Sequence, residues 1–367
     1  PEDGDYVLLE EFEGGYREFE RIKVKKDKKT KKVETVNPYF DFIMSADYMS
    51  RYLESNKAIK NKNIHSNNYL TLFIRKENLF NGKIDDNALT EYYERFRNPY
   101  NSKYKDYPIR ASYEAAEEKY GVSNIERIGK IEKWVKENIF GLCSESDKTY
   151  LKLFFYCDDL ETYRKESEKY ILTNIYNSAD YNVVIDDKIY GLPNNNMTLN
   201  QKKPYFEQRT RKNTVPFLIS QDEVLLQKKM FDHLKNISDE GNSNLYINDE
   251  RGISAYDNKQ VPEEDFSGYF MRIQKGMETE IHDFDTIVSF TNARKPIQIR
   301  NVLEIENSKI QYEKIYTLNK MKDIINKTLF RGYLTNNYFT EAKDMNIEYT
   351  HIKRNIILSR DALFNWF

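Results

Sequence analysis

The segment Gly191–Lys212, GLPNNNMTLNQKKPYFEQRTRK, cannot fold as one regular element. Pro193 and Pro204 lack the amide hydrogen that a helix interior or a central strand needs, and Gly191 loosens the backbone ahead of them. The rest of the chain must therefore carry a long irregular excursion in its middle. Its 22 residues hold Asn194, Asn195 and Asn196 in a run, and five cations, Lys202, Lys203, Arg209, Arg211 and Lys212. Against these stands one carboxylate, Glu207, while Tyr205 and Phe206 lie between the cations. Amides that donate and accept, beside cations and flat rings, suit a surface that meets phosphates and bases. A connection this long without regular structure is uncommon unless it has a function.

The remainder of the chain does not share this imbalance. Lys and Arg number 57 against 59 Asp and Glu, a net charge of −2, so any polynucleotide surface must be local. With 367 residues the chain can bury a large core, as two or three domains or one large mixed one. Its 29 Tyr and 21 Phe are too many for a disordered chain. Cys143 and Cys157 offer neither a disulfide framework nor a cysteine zinc site. His65, His233, His282 and His351 show no metal-ligand spacing, so no metal or cofactor is expected. No signal peptide and no apolar run of about 18 residues is present. The expectation is a soluble, cytoplasmic chain with no membrane partner. A start at Pro1 and an aromatic end at Trp366-Phe367 read as a truncated or partly ordered protein.

The coarse pattern is α+β: a mixed sheet and helices with long basic, Asn-rich loops. Residues 1–240 read as a mixed α/β region carrying those loops, and 241–367 as β-rich and then helical. Tyr6–Phe12 and Tyr16–Val24 flank Gly14-Gly15 as a hairpin. Lysines at 23, 25, 26, 28, 29, 31 and 32 follow and read as a solvated tip. Tyr69–Arg75 is a strand, with a turn at Asn81-Gly82 and a helix over Asp85–Phe96. Ala111–Ile139 is amphipathic and helical, Leu151–Cys157 a buried strand, Leu160–Ile175 a charged helix, and Asn182–Ile189 strand-like. Ser220 and Glu223 form a capping box opening a helix whose apolar face carries Leu226, Met230, Leu234 and Ile237. Strands are expected near Leu245–Ile247, Tyr269–Ile273, Asp285–Phe290 and Ile297–Glu304, and a last helix over Ile310–Leu329.

Enzyme motifs are weak. Tyr156-Cys157-Asp158-Asp159 has the form of the YxDD hairpin whose aspartates hold catalytic magnesium in reverse transcriptases. That chemistry needs a hydrophobic strand after the aspartates, and ETYRKESEKY is helix-like. Asp158, Asp159 and Glu161 suit a helix start, where acids meet free amides and the dipole. A metal-dependent nucleic-acid enzyme built on Asp158 and Asp159 is the alternative reading. Gly129-Lys130 lacks P-loop spacing, and no G-x-S-x-G elbow occurs. Binding features are stronger. Ser55–Asn68, SNKAIKNKNIHSNN, carries Lys57, Lys60, Lys62 and His65 among asparagines that include Asn67 and Asn68. It reads either as a polar loop or as a second nucleic-acid contact placed by the Tyr69 strand.

Two blocks resemble a known family: YGLPNNNMTLNQKKPYFEQRTRKNTVPFLISQDEVLLQKKMFDHL, and NKAIKNKNIHSNNYLTLFIRKENL at residues 56–79. Both are similar to the large subunit of the type I-B CRISPR effector complex, Cascade. The resemblance covers about 70 residues and implies a non-catalytic subunit of an antiviral ribonucleoprotein. Such a subunit sits near the 5′ handle of the guide RNA beside the backbone and handle-binding subunits. It inspects the short protospacer-adjacent motif (PAM) in target double-stranded DNA and helps recruit a helicase-nuclease. The family commonly adds a C-terminal helical bundle, and no such long tail is legible here. On this reading Asn194, Asn195 and Asn196 are motif or backbone readers. Lys202, Lys203, Arg209, Arg211 and Lys212 are phosphate contacts, with Lys57, Lys60, Lys62, Asn67 and Asn68 as the second contact.

Overall fold

The computed structural model describes residues 2–27, 33, 37–54, 57–101, 103–143, 146–176, 178–193, 218–276, 279–298 and 314–367. They form an α+β protein whose described residues fall into two compact units, divided between Lys228 and Lys229.

In the first unit, β1 (Gly4–Phe12) and β2 (Gly15–Val24) form the expected antiparallel hairpin. Then come α1 (Phe40–Ser50), β3 (Thr71–Arg75), α2 (Lys76–Phe80) and α3 (Asp86–Arg97), the last capped by the Asp85 carboxylate. The helical stretch expected over 111–139 is two helices, α4 (Ile109–Tyr120) and α5 (Ile125–Asn138). Gly121 takes φ 85° to end the first, and the Asn124 side chain accepts from the Arg127 amide to start the second. β4 (Tyr150–Phe155) and α6 (Glu161–Asn174) follow as expected.

The sheet runs β2-β1-β4-β3, with β1 parallel to β4 and its other neighbours antiparallel. The two central strands are covered on both faces, so they read as nearly continuous apolar runs rather than alternating ones. Val7, Leu8 and Leu9 pair with Leu153, Phe154 and Phe155, and all are fully buried. Trp134 of α5 meets Phe155 edge-on from one face. The other face carries Tyr6, Lys152 and Phe73 side by side on three adjacent strands.

Lys152 is the exception within that apolar face. Its ammonium lies over the rings of Tyr6 (5.0 Å) and Phe73 (4.7 Å). It pairs with the carboxylates of Asp47, from α1, and Glu2, and Arg51 pairs with the same two acids. Two positive and two negative groups thus close a neutral network around a fully buried lysine.

A second, smaller sheet completes this unit. The single strand expected over 182–189 is a hairpin instead, β5 (Val183–Ile185) and β6 (Lys188–Gly191). Asp186 and Asp187 take φ 48° and 58°, the left-handed pair of a type I′ turn that Asp tolerates. β7 (Ile219–Ser220) pairs with β6 and leads into α7 (Gln221–Asp239). The capping box forms: the Glu223 amide donates to Ser220 Oγ at 3.4 Å, and Glu223 Oε2 accepts from the Ser220 amide at 2.8 Å.

The second unit holds β8 (Asn244–Asn248), β9 (Gly252–Tyr256), β10 (Phe266–Lys275) and β11 (Thr279–Phe290) in an antiparallel sheet ordered β11-β10-β8-β9. Phe231, Leu234 and Ile237 of α7 cover Leu245, Met271 and Ile273. β12 (Ala293–Gln298) and β13 (Lys314–Thr317) form a two-stranded ladder. The last expected helix is shorter than its pattern. α8 (Leu318–Phe330) begins where Thr317 Oγ1 accepts from the Lys320 amide; residues 314–317 of the expected helix are the strand β13, and 310–313 lie outside the described residues. A further helix, α9 (Thr350–Trp366), was not foreseen. Arg272 joins β10 to these C-terminal helices. Its buried guanidinium donates to Asn244 Oδ1 (3.0 Å), Tyr338 Oη (2.9 Å) and the Phe364 carbonyl (3.4 Å). Among the described residues no helix is long and apolar enough to cross a membrane.

The Lys152 network gives the fold an acid limit. Burial alone would raise the Glu2 pKa, but Lys152 and Arg51 outweigh it and hold the carboxyl at about 2 against an ordinary 4.5. The folded protein therefore binds this proton less readily than the unfolded chain. The associated stability is complete above about 4.5 and is lost as pH falls toward about 2. Lys152→Met leaves two carboxylates with one guanidinium and is expected to cost about 3–5 kcal/mol. It should also flatten the acid limb. Urea midpoints at pH 7 and pH 3 check both, and equal midpoints for variant and parent would refute the network's role.

Candidate nucleic-acid interface

The chain enters the basic, Asn-rich segment from β6 and leaves it through β7. Tyr190 faces Ser220 and Gly191 faces Ile219 across that ladder. The two ends are thus hydrogen-bonded neighbours, so the intervening residues start and finish at one place. Tyr176 fastens this neck. Its hydroxyl lies 2.9 Å from the Ile219 carbonyl and 3.2 Å from that of Ile189, reaching a residue on each strand. Tyr176 also bridges to Pro193, after which residues 194–217 lie outside the described residues. Gly191 is what admits the ring: a Cβ there would stand 2.4–2.6 Å from three Tyr176 ring carbons. Burial pushes the Tyr176 phenol above its ordinary range, which keeps it a neutral donor. Asn194, Asn195, Asn196, Lys202, Lys203, Arg209, Arg211 and Lys212 themselves lie outside the described residues.

The second expected contact separates into four different roles. Lys57 lies against the neck. Its ammonium donates to the Tyr176 carbonyl at 2.9 Å, and burial lowers its pKa. Its own carbonyl accepts from Tyr170 Oη (2.7 Å) and Lys103 Nζ (2.9 Å). Lys57 therefore braces the neck. Lys60 is exposed and pairs with Glu91 at 3.1 Å. An exposed pair of this kind is worth about 0.2–1 kcal/mol, so a phosphate can replace the carboxylate. Lys62 is exposed, with no side-chain partner among the described residues.

Asn67 and Asn68 correct the sequence expectation. Both are fully buried, where no polynucleotide can reach. Asn67 Nδ2 donates to the carbonyls of Met49 and Arg51, both at 2.9 Å. Asn68 Nδ2 lies 2.9 Å from Ser50 Oγ and Ser167 Oγ, and Asn68 Oδ1 accepts from the Leu70 amide. The pair ties the entry of β3 to α1 and α6. Two amides directly before a strongly apolar strand, rather than within a loop, were the available signal.

The remaining motifs take structural roles. Asp159 Oδ1 accepts from the Thr162 amide at 3.2 Å, the helix-start role that the sequence favoured. Among the described residues no three His, Cys, Asp or Glu side chains gather as metal ligands. His65 Nδ1 lies 2.8 Å from Tyr150 Oη, and His282 packs edge-on against Tyr338 and Phe339. Of the lysine cluster, Lys23 is exposed on the edge strand β2, where lysines discourage pairing with other chains, and Lys25 is exposed just after it. Residues 28–32 lie outside the described residues. Tyr176, Tyr170 and Lys103, which fix the neck and its brace, carried no motif.

Gly191→Ala is expected to push the Tyr176 ring from its seat and to cost about 1–3 kcal/mol. An unchanged urea midpoint would show that the ring and glycine are not tightly fitted. Asn68→Ala should cost about 1–3 kcal/mol by orphaning buried groups, whereas Lys62→Ala should stay within about 0.5 kcal/mol. Thermal melts of both variants check the division between buried and exposed residues, and equal losses would contradict it.

No family model, no curated protein and no solved structure matches this chain.

Proposed function

We propose that this chain is the non-catalytic large subunit of a type I-B CRISPR surveillance complex. In this reading it binds the 5′ handle of the guide RNA and the PAM region of target double-stranded DNA, beside the other Cascade subunits. It then helps recruit the helicase-nuclease that cuts. The observation that carries the reading is the sequence block beginning at Tyr190. Its likeness to that family coincides with the strongest local excess of cations and amides over carboxylates. The fold is compatible with the role, because the paired ends of that block give an irregular segment a fixed base.

The division of labour follows from chemistry. Guide pairing reads the target, so the protein needs only backbone charge, shape and a short motif reader. Lys202, Lys203, Arg209, Arg211 and Lys212 neutralise phosphates and release counterions. Asn194, Asn195 and Asn196 read base edges or backbone, with bidentate contact to adenine open to an amide. Tyr205 and Phe206 stack on a base or wedge a step. Lys62, and Lys60 on exchange from Glu91, extend the cationic surface, while Lys57 supports it from below.

The test is filter binding of target DNA to the purified complex. Lys202→Ala with Lys203→Ala should weaken binding and reduce the salt slope by about two, since two phosphates lose their partners. Asn195→Ala should cost about 1–3 kcal/mol on motif-bearing DNA and less on DNA without it. Both variants should melt with the parent. Small RNA with a constant 5′ end should co-purify with the chain and its neighbours. Unchanged affinity and slope in both variants would remove this site, and loss of the RNA from an intact assembly would remove the role.

A further inference from the structure

The first unit holds a cavity of about 20 Å³, which fits about one water molecule or a single-atom ion. Arg95 reaches it from α3, and Lys103 from the loop before α4. The charge of this lining does not balance. Its one carboxylate is Glu166, which accepts from Lys169 Nζ (3.0 Å) and Ser123 Oγ (2.8 Å). Glu166 and Lys169 answer each other, so Lys103 and Arg95 are left without a counter-charge in the lining.

Lys103 is the more constrained of the two. Its Nζ donates to the carbonyls of Lys57 and Ala58, both at 2.9 Å, and lies over the rings of Tyr170 (5.6 Å) and Tyr104 (5.9 Å). An ammonium has three hydrogens, so one remains, and no acid pairs with Lys103 among the described residues. Burial disfavours its charge, and Lys57 and Arg95 add repulsion; together they lower its pKa to about 7. Arg95 is half-buried and has no hydrogen bond or ion pair among the described residues. Tyr104 is buried, and its oxygen accepts from Asn174 Nδ2 at 3.1 Å, which leaves its own hydrogen without an acceptor among the described residues. Tyr113 is buried too, stacks on Tyr104 at 4.6 Å and lines the same cavity. Its hydroxyl has no hydrogen-bond partner among the described residues. A water molecule would accept these hydrogens but leave the positive excess in place, whereas an anion answers both. Carboxylate and phosphate groups are larger than the cavity.

We propose that this cavity binds one halide ion, chloride under ordinary salt conditions, held by Lys103, Arg95 and the Tyr104 hydroxyl. The ion supplies the missing negative charge. It keeps Lys103 an ammonium while that group holds the carbonyl of Lys57, the residue that braces the neck. The site stands apart from the nucleic-acid reading, since a cavity of this size excludes phosphate.

Titration of the full chain with sodium chloride tests it, with gluconate holding the ionic strength constant and the chlorine NMR linewidth as readout. The parent should show saturable broadening that bromide displaces. At about pH 6 it should also melt higher in chloride than in gluconate, and by about pH 9 this difference should shrink. The ion binds the charged lysine, so binding is full below the Lys103 pKa and is lost as pH rises through it. Lys57, whose pKa burial also lowers, acts in the same sense, while Tyr104, raised to about 12, stays neutral. Arg95→Gln removes no contact among the described residues. It should bind chloride about tenfold more weakly and melt with the parent in gluconate. Lys103→Met should abolish the saturable part; if it does not fold, Arg95→Gln alone decides. Three results would each overturn the proposal: linear broadening up to about 0.5 M chloride, equal parent melts in chloride and gluconate at about pH 6, or unchanged affinity in Arg95→Gln, the mark of an adventitious ion only.

Discussion

A fully buried ammonium on the central strand sets the terms for the first unit. Lys152 sits where its neighbours Leu151, Leu153 and Phe154 require an apolar side chain, and an unpaired charge there would not be tolerated. Its position is sustained only because α1 delivers Asp47 and Arg51, and the residue before β1 by two positions delivers Glu2. The network therefore specifies which helix lies on that face and in what register. Replacing all four groups with apolar ones could keep the stability, but it would lose that specification. The parallel β1–β4 pairing places Lys152 opposite Tyr6, so strand register and ion pairing agree.

From that face the order passes to the neck through contiguous buried polar contacts. Ser50, at the end of α1, meets Asn68, which also reaches Ser167 of α6. Along α6, Tyr170 hydrogen-bonds the backbone of Leu53 and Lys57, and Lys57 reaches the carbonyl of Tyr176. Tyr176 then holds Ile189 and Ile219. Each link joins groups that would be costly to leave unpaired, so the sheet positions the two-stranded base at residues 188–220. On the proposed reading this matters for residues 194–217, because fixing their attachment points in advance lowers the entropy lost on contact.

Much of the first unit was legible because its signals are local. LKLFFYC is apolar enough to be a buried strand in any context, and the Ser220–Glu223 box formed as its spacing demands. The errors arise where tertiary contacts decide. Asn182–Ile189 contains only Asp186-Asp187 as a turn signal, a weaker one than Asn-Gly, so a hairpin reads as one strand. Asn67 and Asn68 have the composition of a binding loop, and only their partners on α1 and α6 reveal them as interior. The bracing contact of Lys57 was equally hidden, since no pattern announces that a lysine will turn to a carbonyl 119 positions away in sequence.

Charge placement then separates the two kinds of surface in this nearly neutral chain. On the regular elements of the first unit, arginines are matched locally: Arg17 with Glu10, Arg21 with Glu18, Arg97 with Glu94 and Glu132, Arg110 with Glu114, and Arg164 with Glu161 and Glu168. Such pairs contribute little to stability, yet they cancel the field that a polyanion would sense beyond about one Debye length. Residues 202–212, with five cations against Glu207, are where the sequence withholds the matching acids. On the described regular elements those arginines have acids beside them, whereas the sequence of residues 202–212 sets five cations against Glu207, and the proposed function rests on that local excess.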